Sequence, residues 1–285
     1  MLLQEIKTIC VCGAGTMGSG IAQVAAQAGY AVILFDINEA MLQTARQSIQ
    51  KSLQRLAEKT GLTAESGAAI LERIFFTADI TNCRANVVIE AIAEKQEIKI
   101  DLYNQLAGVN DADTLFASNT SSLSITQLQL HLPHPRLMAG MHFFNPAPLM
   151  KLVEIIKGEQ TSDETISTLF ALAQSFGKMP VACTDSPGFI VNRVARPYYL
   201  EAMRLVSAGV ATIENVDAIM EATGFKMGPF KLMDLIGLDV NYAVSQLVYD
   251  ALDKPERLQP SPLQKQKMDE GHLGKKTGKG FYEYS

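Results

Sequence analysis

No uninterrupted apolar stretch in these 285 residues approaches the ~20 needed to cross a bilayer, so no membrane-spanning helix is expected. Cysteine is scarce. The four present (Cys10, Cys12, Cys83, Cys183) have the spacing of neither a zinc knuckle nor a CxxC redox pair. All four are expected as reduced, mostly buried small side chains, and no metal site is expected. Blocks of like charge, internal repeats and low-complexity segments are also missing. With a formal net charge of −5, nucleic acid and anionic membranes are poor partners. An anionic small substrate stays open if local lysines receive it. The start, Met1-Leu2-Leu3-Gln4-Glu5-Ile6, runs straight into an apolar segment and leaves no room for a signal peptide. A soluble, cytoplasmic protein is the simplest expectation.

What the chain has in quantity is core material: 47% of its residues are hydrophobic. Its length exceeds the ~100–200 residues usual for one domain, so two are expected. Ile6 to Cys12 reads as a strand buried on both faces of a parallel sheet. Gly13-Ala14-Gly15-Thr16-Met17-Gly18 follows at once, then a small-residue helix from Ser19 to Ala28. The next apolar run, Ala31 to Phe35, ends at Asp36, 18 residues past Gly18. That is close to the ~20 residues separating fingerprint from acidic residue in a dinucleotide-binding βαβ unit. Gly13 should permit the tight turn, Gly15 the approach of a pyrophosphate, and Gly18 close packing of helix on strand. The N–H groups of the first helical turn, with Thr16 and Met17 among them, would hold the diphosphate. Asp36 could accept hydrogen bonds from both ribose hydroxyls and would repel a 2′-phosphate, which favours NAD over NADP.

Further along, the patterning predicts helices over Asn38 to Lys59 and on to about Arg73, broken at Gly61-Leu62-Thr63. This pair, at about residues 38–73, is longer than a crossover needs and is expected to project as a helical arm. Strands are predicted at Val87–Ile92, Leu115–Ser118, Leu137–Phe143, Lys151–Ile156 and Met179–Cys183, with helices at Glu94–Leu106 (its apolar face Ile98, Leu102 and Leu106, spaced by four), near Ser124 and at Ser162–Phe176. The fold class is therefore α/β, a Rossmann-type doubly wound sheet of seven or eight strands. Asp185-Ser186-Pro187-Gly188 marks a break. Beyond it helices are predicted at Phe189–Ala208, Thr212–Thr223, Pro229–Ile236, Asp239–Leu252 and Ser261–Glu270. The expected division is 1–185, a nucleotide-binding domain, and 186–285, an all-helical domain. Apolar positions on the second suggest a homodimer burying one face.

Polar clusters interrupt the apolar runs between Phe116 and Ile156. Oxidation of an alcohol needs a base for the hydroxyl proton, and histidine is the usual choice. His131 and His134 lie in a loop-like run and His272 follows a glycine in the tail, so all three are expected to be solvated. His142 alone closes an apolar strand. Glu154 could hold its other ring nitrogen, as the carboxylate does in a triad. From spacing alone, a core histidine satisfied by backbone, with Glu154 an ordinary edge residue, is an equal alternative.

Taken together, seven ordered segments resemble the 3-hydroxyacyl-CoA dehydrogenase family. They are Gly-Ala-Gly-Thr-Met-Gly-Ser-Gly-Ile-Ala (13–22), Ser-Asn-Thr-Ser-Ser (118–122), His-Phe-Phe-Asn-Pro (142–146), Leu-Val-Glu-Ile-Ile (152–156), Asp-Ser-Pro-Gly-Phe-Ile-Val-Asn-Arg (185–193), Met-Gly-Pro-Phe (227–230) and Gly-Lys-Lys-Thr-Gly-Lys-Gly-Phe-Tyr (274–282). The length resembles that of stand-alone bacterial 3-hydroxybutyryl-CoA dehydrogenases. The resemblance implies NAD-dependent oxidation of an (S)-3-hydroxyacyl-CoA, with His142 as general base and Glu154 orienting it. It implies that Ser121 and Asn192 hydrogen-bond the substrate's 3-oxygen, with Asn192 completing the site from the second domain. It places Glu94 and Lys99 near the cofactor, Asn119 beside the nicotinamide, and Ser52 and Lys59 where coenzyme A is contacted. It also implies a homodimer. Two positions depart from the family pattern: Lys226 stands where proline is usual and Lys231 where glutamate is. Both lie away from the proposed chemistry. Rivals of other kinds are a 3-hydroxyisobutyrate-type dehydrogenase, against which His-Phe-Phe-Asn-Pro argues, a sugar-acid dehydrogenase of the same fold, and a non-catalytic NAD-binding relative. A hydroxyadipyl or longer acyl chain also stays open.

Overall fold

The computed structural model describes residues 1–60 and 63–284, so the expected break at Gly61-Leu62 lies outside the described residues. The chain divides into two compact units, Met1–Ser186 and Pro187–Ser285. In the first, strands and helices alternate: β1 (Thr8–Cys12), α1 (Thr16–Gln27), β2 (Ala31–Phe35), α2 (Glu39–Thr60), α3 (Ala64–Glu72), β3 (Ile74–Thr77), β4 (Val87–Glu90), α4 (Gln96–Val109), β5 (Leu115–Ser118), α5 (Ile125–Gln129), β6 (Met138–Phe143), β7 (Leu152–Lys157), α6 (Asp163–Ser175) and β8 (Met179–Thr184). The eight strands form one sheet in the order β3-β2-β1-β4-β5-β6-β7-β8. Every pairing is parallel except that of β6 with β7.

Alternate residues of the central strands feed two separate cores, which is what a doubly wound sheet requires. Ile9, Val11, Val32, Leu34, Val87 and Ile89 share one core with helical residues such as Ile21 and Leu172. Cys10, Cys12, Ile33, Phe35, Val88 and Phe116 share the other with Leu102, Tyr103 and Leu106 of α4. Cys10 and Cys12 do face the same side, their sulfurs 3.8 Å apart.

Two local expectations are corrected, at β3 and on α4. The strand β3, Ile-Phe-Phe-Thr, went unrecognised because it is only four residues long and follows a helix without a break. The helix pair over 38–73 packs part of its described length on the first core. Leu42, Ala45, Ile49 and Leu53 of α2 and Ile70 of α3 are buried in the same core as α1. On α4 the buried face is Lys99, Leu102, Tyr103 and Leu106, whereas Ile98 is exposed. A stripe spaced strictly by four drifts around a helix, and the spacing of three and four found here keeps one face.

The second unit is helical: α7 (Val191–Ser207), α8 (Ile213–Ala222), α9 (Pro229–Ile236), α10 (Leu238–Ala251) and α11 (Pro262–Asp269). Two of its motifs are architectural. Gly228 offers no side-chain cap to α9, and the cap comes instead from Asp217 of α8. The Asp217 carboxylate accepts the N–H groups of Phe230 and Lys231, both at 2.9 Å, and places its charge at the positive end of the helix dipole. A Cβ on residue 228 would lie 2.4 Å from that carboxylate, so the approach needs glycine. Lys231 also pairs with Glu221 at 2.9 Å, so this departure from the family pattern carries its own partner.

The glycine-lysine tail is held the same way. Buried Asp234 accepts the N–H groups of Phe281 and Tyr282 and the hydroxyl of Tyr284, each at 2.9 Å. Asp234→Asn should therefore cost about 1–3 kcal/mol, since one acceptor becomes a donor facing donors. A thermal melt of the variant coinciding with that of the parent would show that the tail is not latched by this carboxylate.

Candidate functional site

The turn after β1 lies where the sheet order reverses, between β1's two neighbours β2 and β4. In open α/β sheets ligands bind at such a point, beyond the carboxyl ends of the strands. Its three glycines meet three different constraints. Gly13 has φ +101°, and a Cβ there would be 2.6 Å from the carbonyl oxygen of Ala91 just past β4. At Gly18 a Cβ would be 1.7 Å from the Gly13 carbonyl oxygen. Gly15 is opposite in kind: an added Cβ meets no atom within 4 Å and would project into open space.

No side chain caps the N-terminus of α1, and its first turn holds no acidic residue, so its N–H groups and dipole offer a site for an anion. Thr16 is exposed and Met17 half-buried in that turn. Asp36, at the end of β2, accepts the Ala14 N–H at 2.8 Å and the Asn38 N–H at 2.9 Å. Its carboxylate is thereby fixed against the glycine turn. An open cradle over an uncapped helix, with a carboxylate held one strand away, fits a dinucleotide with free ribose hydroxyls.

His142 and Glu154 are brought together by register. β6 and β7 are antiparallel, and the two residues lie directly opposite each other in the ladder. Cross-strand neighbours on one face have Cβ atoms ~5 Å apart, close enough for imidazole and carboxylate to meet. The contact is 2.7 Å from Nδ1 to Glu154 Oε2, and both side chains are buried. A slip of one residue would turn Glu154 to the other core. With Nδ1–H donating to the carboxylate, Nε2 becomes the basic nitrogen of the ring.

The turn following β5 is tied to the histidine strand and to α4. Asn119 Oδ1 accepts the N–H of Phe143, the residue after His142, at 2.8 Å. Glu94 gathers the rest through one oxygen. Its Oε1 accepts the Thr120 hydroxyl at 2.6 Å, the Ser121 N–H at 3.0 Å and the Ser122 hydroxyl at 2.7 Å. Burial works to raise the pKa of Glu94, but the Lys99 ammonium and the Thr120 and Ser122 hydroxyls outweigh it and hold the carboxyl below its ordinary value. Lys99 itself is buried, its Nζ 2.6 Å from Glu90 and 3.1 Å from Glu94.

Glu90 was not anticipated. It closes β4 fully buried, and its two oxygens accept from Lys99, the Ile92 N–H, the Tyr103 hydroxyl and the Ser118 hydroxyl. The available signal was a carboxylate ending an otherwise unbroken apolar run, Val87-Val88-Ile89, with a lysine between two isoleucines nine residues on.

Of the remaining expected site residues, Ser52 is half-buried on α2, and the side chain of Lys59 lies outside the described residues. Asn192 belongs to the second unit, in the first turn of α7, where its carbonyl accepts from Arg196 Nε at 3.0 Å. His131 and His134 are exposed; His272 is half-buried against Glu270 at 3.0 Å. None of Cys10, Cys83 or Cys183 is poised as a nucleophile. Contact with Cys12 raises the Cys10 thiol and contact with Cys10 raises that of Cys83. Burial, with Glu154 and Asp185 nearby, pushes Cys183 up to about 11. Among the described residues there is no cluster of His, Cys, Asp and Glu suited to a metal, and no helix long and apolar enough to cross a membrane.

Known proteins are similar in both sequence and fold. Residues 8–186 match the 3-hydroxyacyl-CoA dehydrogenase NAD binding domain, and residues 188–284 match the C-terminal domain of the same family. The chain is 45% identical over 285 residues to 3-hydroxyadipyl-CoA dehydrogenase of Escherichia coli, covering 99% of this chain but 60% of that protein's length. It is 44% identical to a probable 3-hydroxybutyryl-CoA dehydrogenase of Deinococcus radiodurans, covering 96% of this chain and 99% of that one. The solved structure of (S)-3-hydroxybutyryl-CoA dehydrogenase from Ralstonia eutropha superposes with a TM-score of 0.95 at 39% identity, over 99% of this chain and all of that one. With both halves of the chain matched in order, and the Deinococcus relative covered over 99% of its length at 44% identity, the chain belongs to the 3-hydroxyacyl-CoA dehydrogenase family.

Proposed function

We propose that this protein catalyses the reversible, NAD-dependent oxidation of a short-chain (S)-3-hydroxyacyl-CoA to the 3-oxoacyl-CoA. The observation that carries this reading is the buried His142–Glu154 pair, on a strand tied through Asn119 to the turn that bears Ser121. When bound over the glycine turn, NAD supplies the two-electron acceptor at its nicotinamide. The chain's own residues do the rest. Asp36 selects a free ribose, and Gly15 leaves room for the diphosphate. His142 Nε2 takes the proton of the 3-hydroxyl while Glu154 stabilises the imidazolium through Nδ1. In the reverse direction the imidazolium returns that proton to the developing alkoxide. Ser121 and Asn192 hold the 3-oxygen, so the oxygen is already solvated by donors as its charge develops. Ser52 and Lys59 are the contacts we assign to the coenzyme A portion.

The protein acts in this reading as a cytoplasmic homodimer. Four cysteines, with the spacing of neither a zinc knuckle nor a CxxC pair, suit a reducing compartment. Exposed Val194, Val210, Ile219, Phe225 and Leu235 give the helical unit apolar surface for a second copy.

A second reading concerns chain length. The relatives named for a four-carbon and for a dicarboxylic six-carbon substrate are nearly equal in identity, at 44% and 45%. NADH oxidation with acetoacetyl-CoA and with 3-oxoadipyl-CoA separates them, free acetoacetate and NADPH serving as controls. Turnover with acetoacetyl-CoA and NADH, and little with 3-oxoadipyl-CoA, is the expected result. Preference for the diacid thioester would move the assignment to hydroxyadipyl-CoA. Turnover of free acetoacetate alone would overturn the thioester.

A further inference from the structure

Glu90 and Lys99 are a fully buried ion pair that the proton-transfer chemistry does not use. Their geometry has a direction. Glu90 has all its acceptor capacity engaged: Oε1 takes Lys99 Nζ at 2.6 Å and the Ile92 N–H at 2.8 Å, and Oε2 takes the Ser118 hydroxyl at 2.7 Å and the Tyr103 hydroxyl at 3.0 Å. Tyr103 keeps its proton, because burial and then the Glu90 charge oppose its loss. The carboxylate is therefore locked by β4, β5 and α4 at once, and it fixes the Lys99 ammonium at one point. From there Lys99 reaches Glu94 Oε2 at 3.1 Å, and the other oxygen of Glu94 collects Thr120, Ser121 and Ser122. Thr120 passes the order on, its hydroxyl oxygen accepting the N–H groups of Ser122 at 3.2 Å and Leu123 at 2.8 Å.

A solvent-exposed carboxylate held by hydroxyls alone would exchange those partners with water. Glu94 is 37% exposed at its side chain, whereas the lysine behind it is 1% exposed and also paired with Glu90. Burying a lysine between carboxylates is a poor source of stability, since desolvation offsets most of the attraction. A positional role accounts for it better.

We propose that Glu90 and Lys99 are positioning residues for Ser121: a buried relay, Glu90–Lys99–Glu94, that sets the 119–122 turn against the histidine strand before substrate arrives. This rests on the assignment of Ser121 as a group that holds the substrate's 3-oxygen. Two of the three donors of the Lys99 ammonium are engaged by these carboxylates.

The test is a double-mutant cycle with the charge-neutral pair Glu90→Gln/Lys99→Met, which avoids leaving one buried charge unpaired. In the otherwise native enzyme kcat should fall roughly tenfold, within the range of couplings inside one hydrogen-bond network. In a Ser121→Ala background the same pair should cost less than about twofold more. NADH affinity, measured without substrate, should stay within about threefold. Losses that multiply across the two backgrounds, or an NADH affinity that falls as far as kcat, would overturn the proposal. Glu94→Gln tests the same coupling from the exposed end if the buried pair does not fold. Hydrogen exchange reads the relay without turnover: amides of 119–124 should lose protection in the variant while those of β6 do not. Unchanged protection at 119–124 overturns the relay. Lost protection in a protein whose parent turns over no 3-oxoacyl-CoA overturns the functional assignment and leaves the relay standing.

Discussion

His142→Ala should lower turnover of the 3-oxoacyl-CoA by roughly 10²–10⁴, the usual worth of a general acid–base group, with NADH affinity nearly intact. The separation of effects follows from where the residue is. His142 lies one residue before the end of β6 and is held across the ladder by Glu154, whereas the glycine turn and Asp36 follow β1 and β2. Removing the imidazole deletes the proton carrier and leaves the nucleotide cradle untouched. Glu154→Gln should fall in the same range for a different reason. An amide can turn its NH₂ toward Nδ1, which forces the proton onto Nε2 and leaves a ring that cannot accept the hydroxyl proton. Steady-state kinetics of both variants, beside NADH titrations, check this directly. A His142→Ala loss below about tenfold would remove the residue from the role of base.

The nucleotide half of this site was legible because it is local. Gly13, Gly15, Gly18 and Asp36 belong to one strand–turn–helix–strand unit, and each residue's task follows from backbone demands within it. The pairing of His142 with Glu154 was only half legible. Two polar residues ending or interrupting apolar runs could be marked, but their contact depends on β7 running antiparallel to β6 with one particular register. Nothing in either strand alone fixes that direction. Glu90 was not legible at all, since its partners come from β5 and α4 and its neighbours in sequence are those of an ordinary buried strand. The same contact misled the reading of α4. Lys99 faces inward because a carboxylate waits there, and this rotates Ile98 out to solvent. Hydrophobic periodicity finds which face of a helix is apolar, and an ion pair buried across two elements overrides it.

The glycine turn makes the second large prediction, because two alanine substitutions three residues apart should fail in different ways. Gly18→Ala places a methyl group 1.7 Å from the Gly13 carbonyl oxygen, which is backbone and cannot give way without moving α1 off β1. Fold and nucleotide affinity should drop together: several kcal/mol of stability, as expected for overpacking against an immobile group, and NADH binding with it. Gly15→Ala meets no atom within 4 Å, and its backbone is extended in a region any residue adopts. Its melting temperature should equal that of the parent or rise slightly, since alanine narrows the unfolded ensemble. Its methyl group nevertheless occupies the space through which a diphosphate must approach the first turn of α1. NADH affinity should therefore fall by about 10²-fold or more in a protein as stable as the parent, an effect of roughly 3 kcal/mol. Thermal melts paired with NADH titrations distinguish the two. Undiminished NADH affinity in Gly15→Ala would mean that the diphosphate does not cross this turn, and the cofactor assignment built on it would fall.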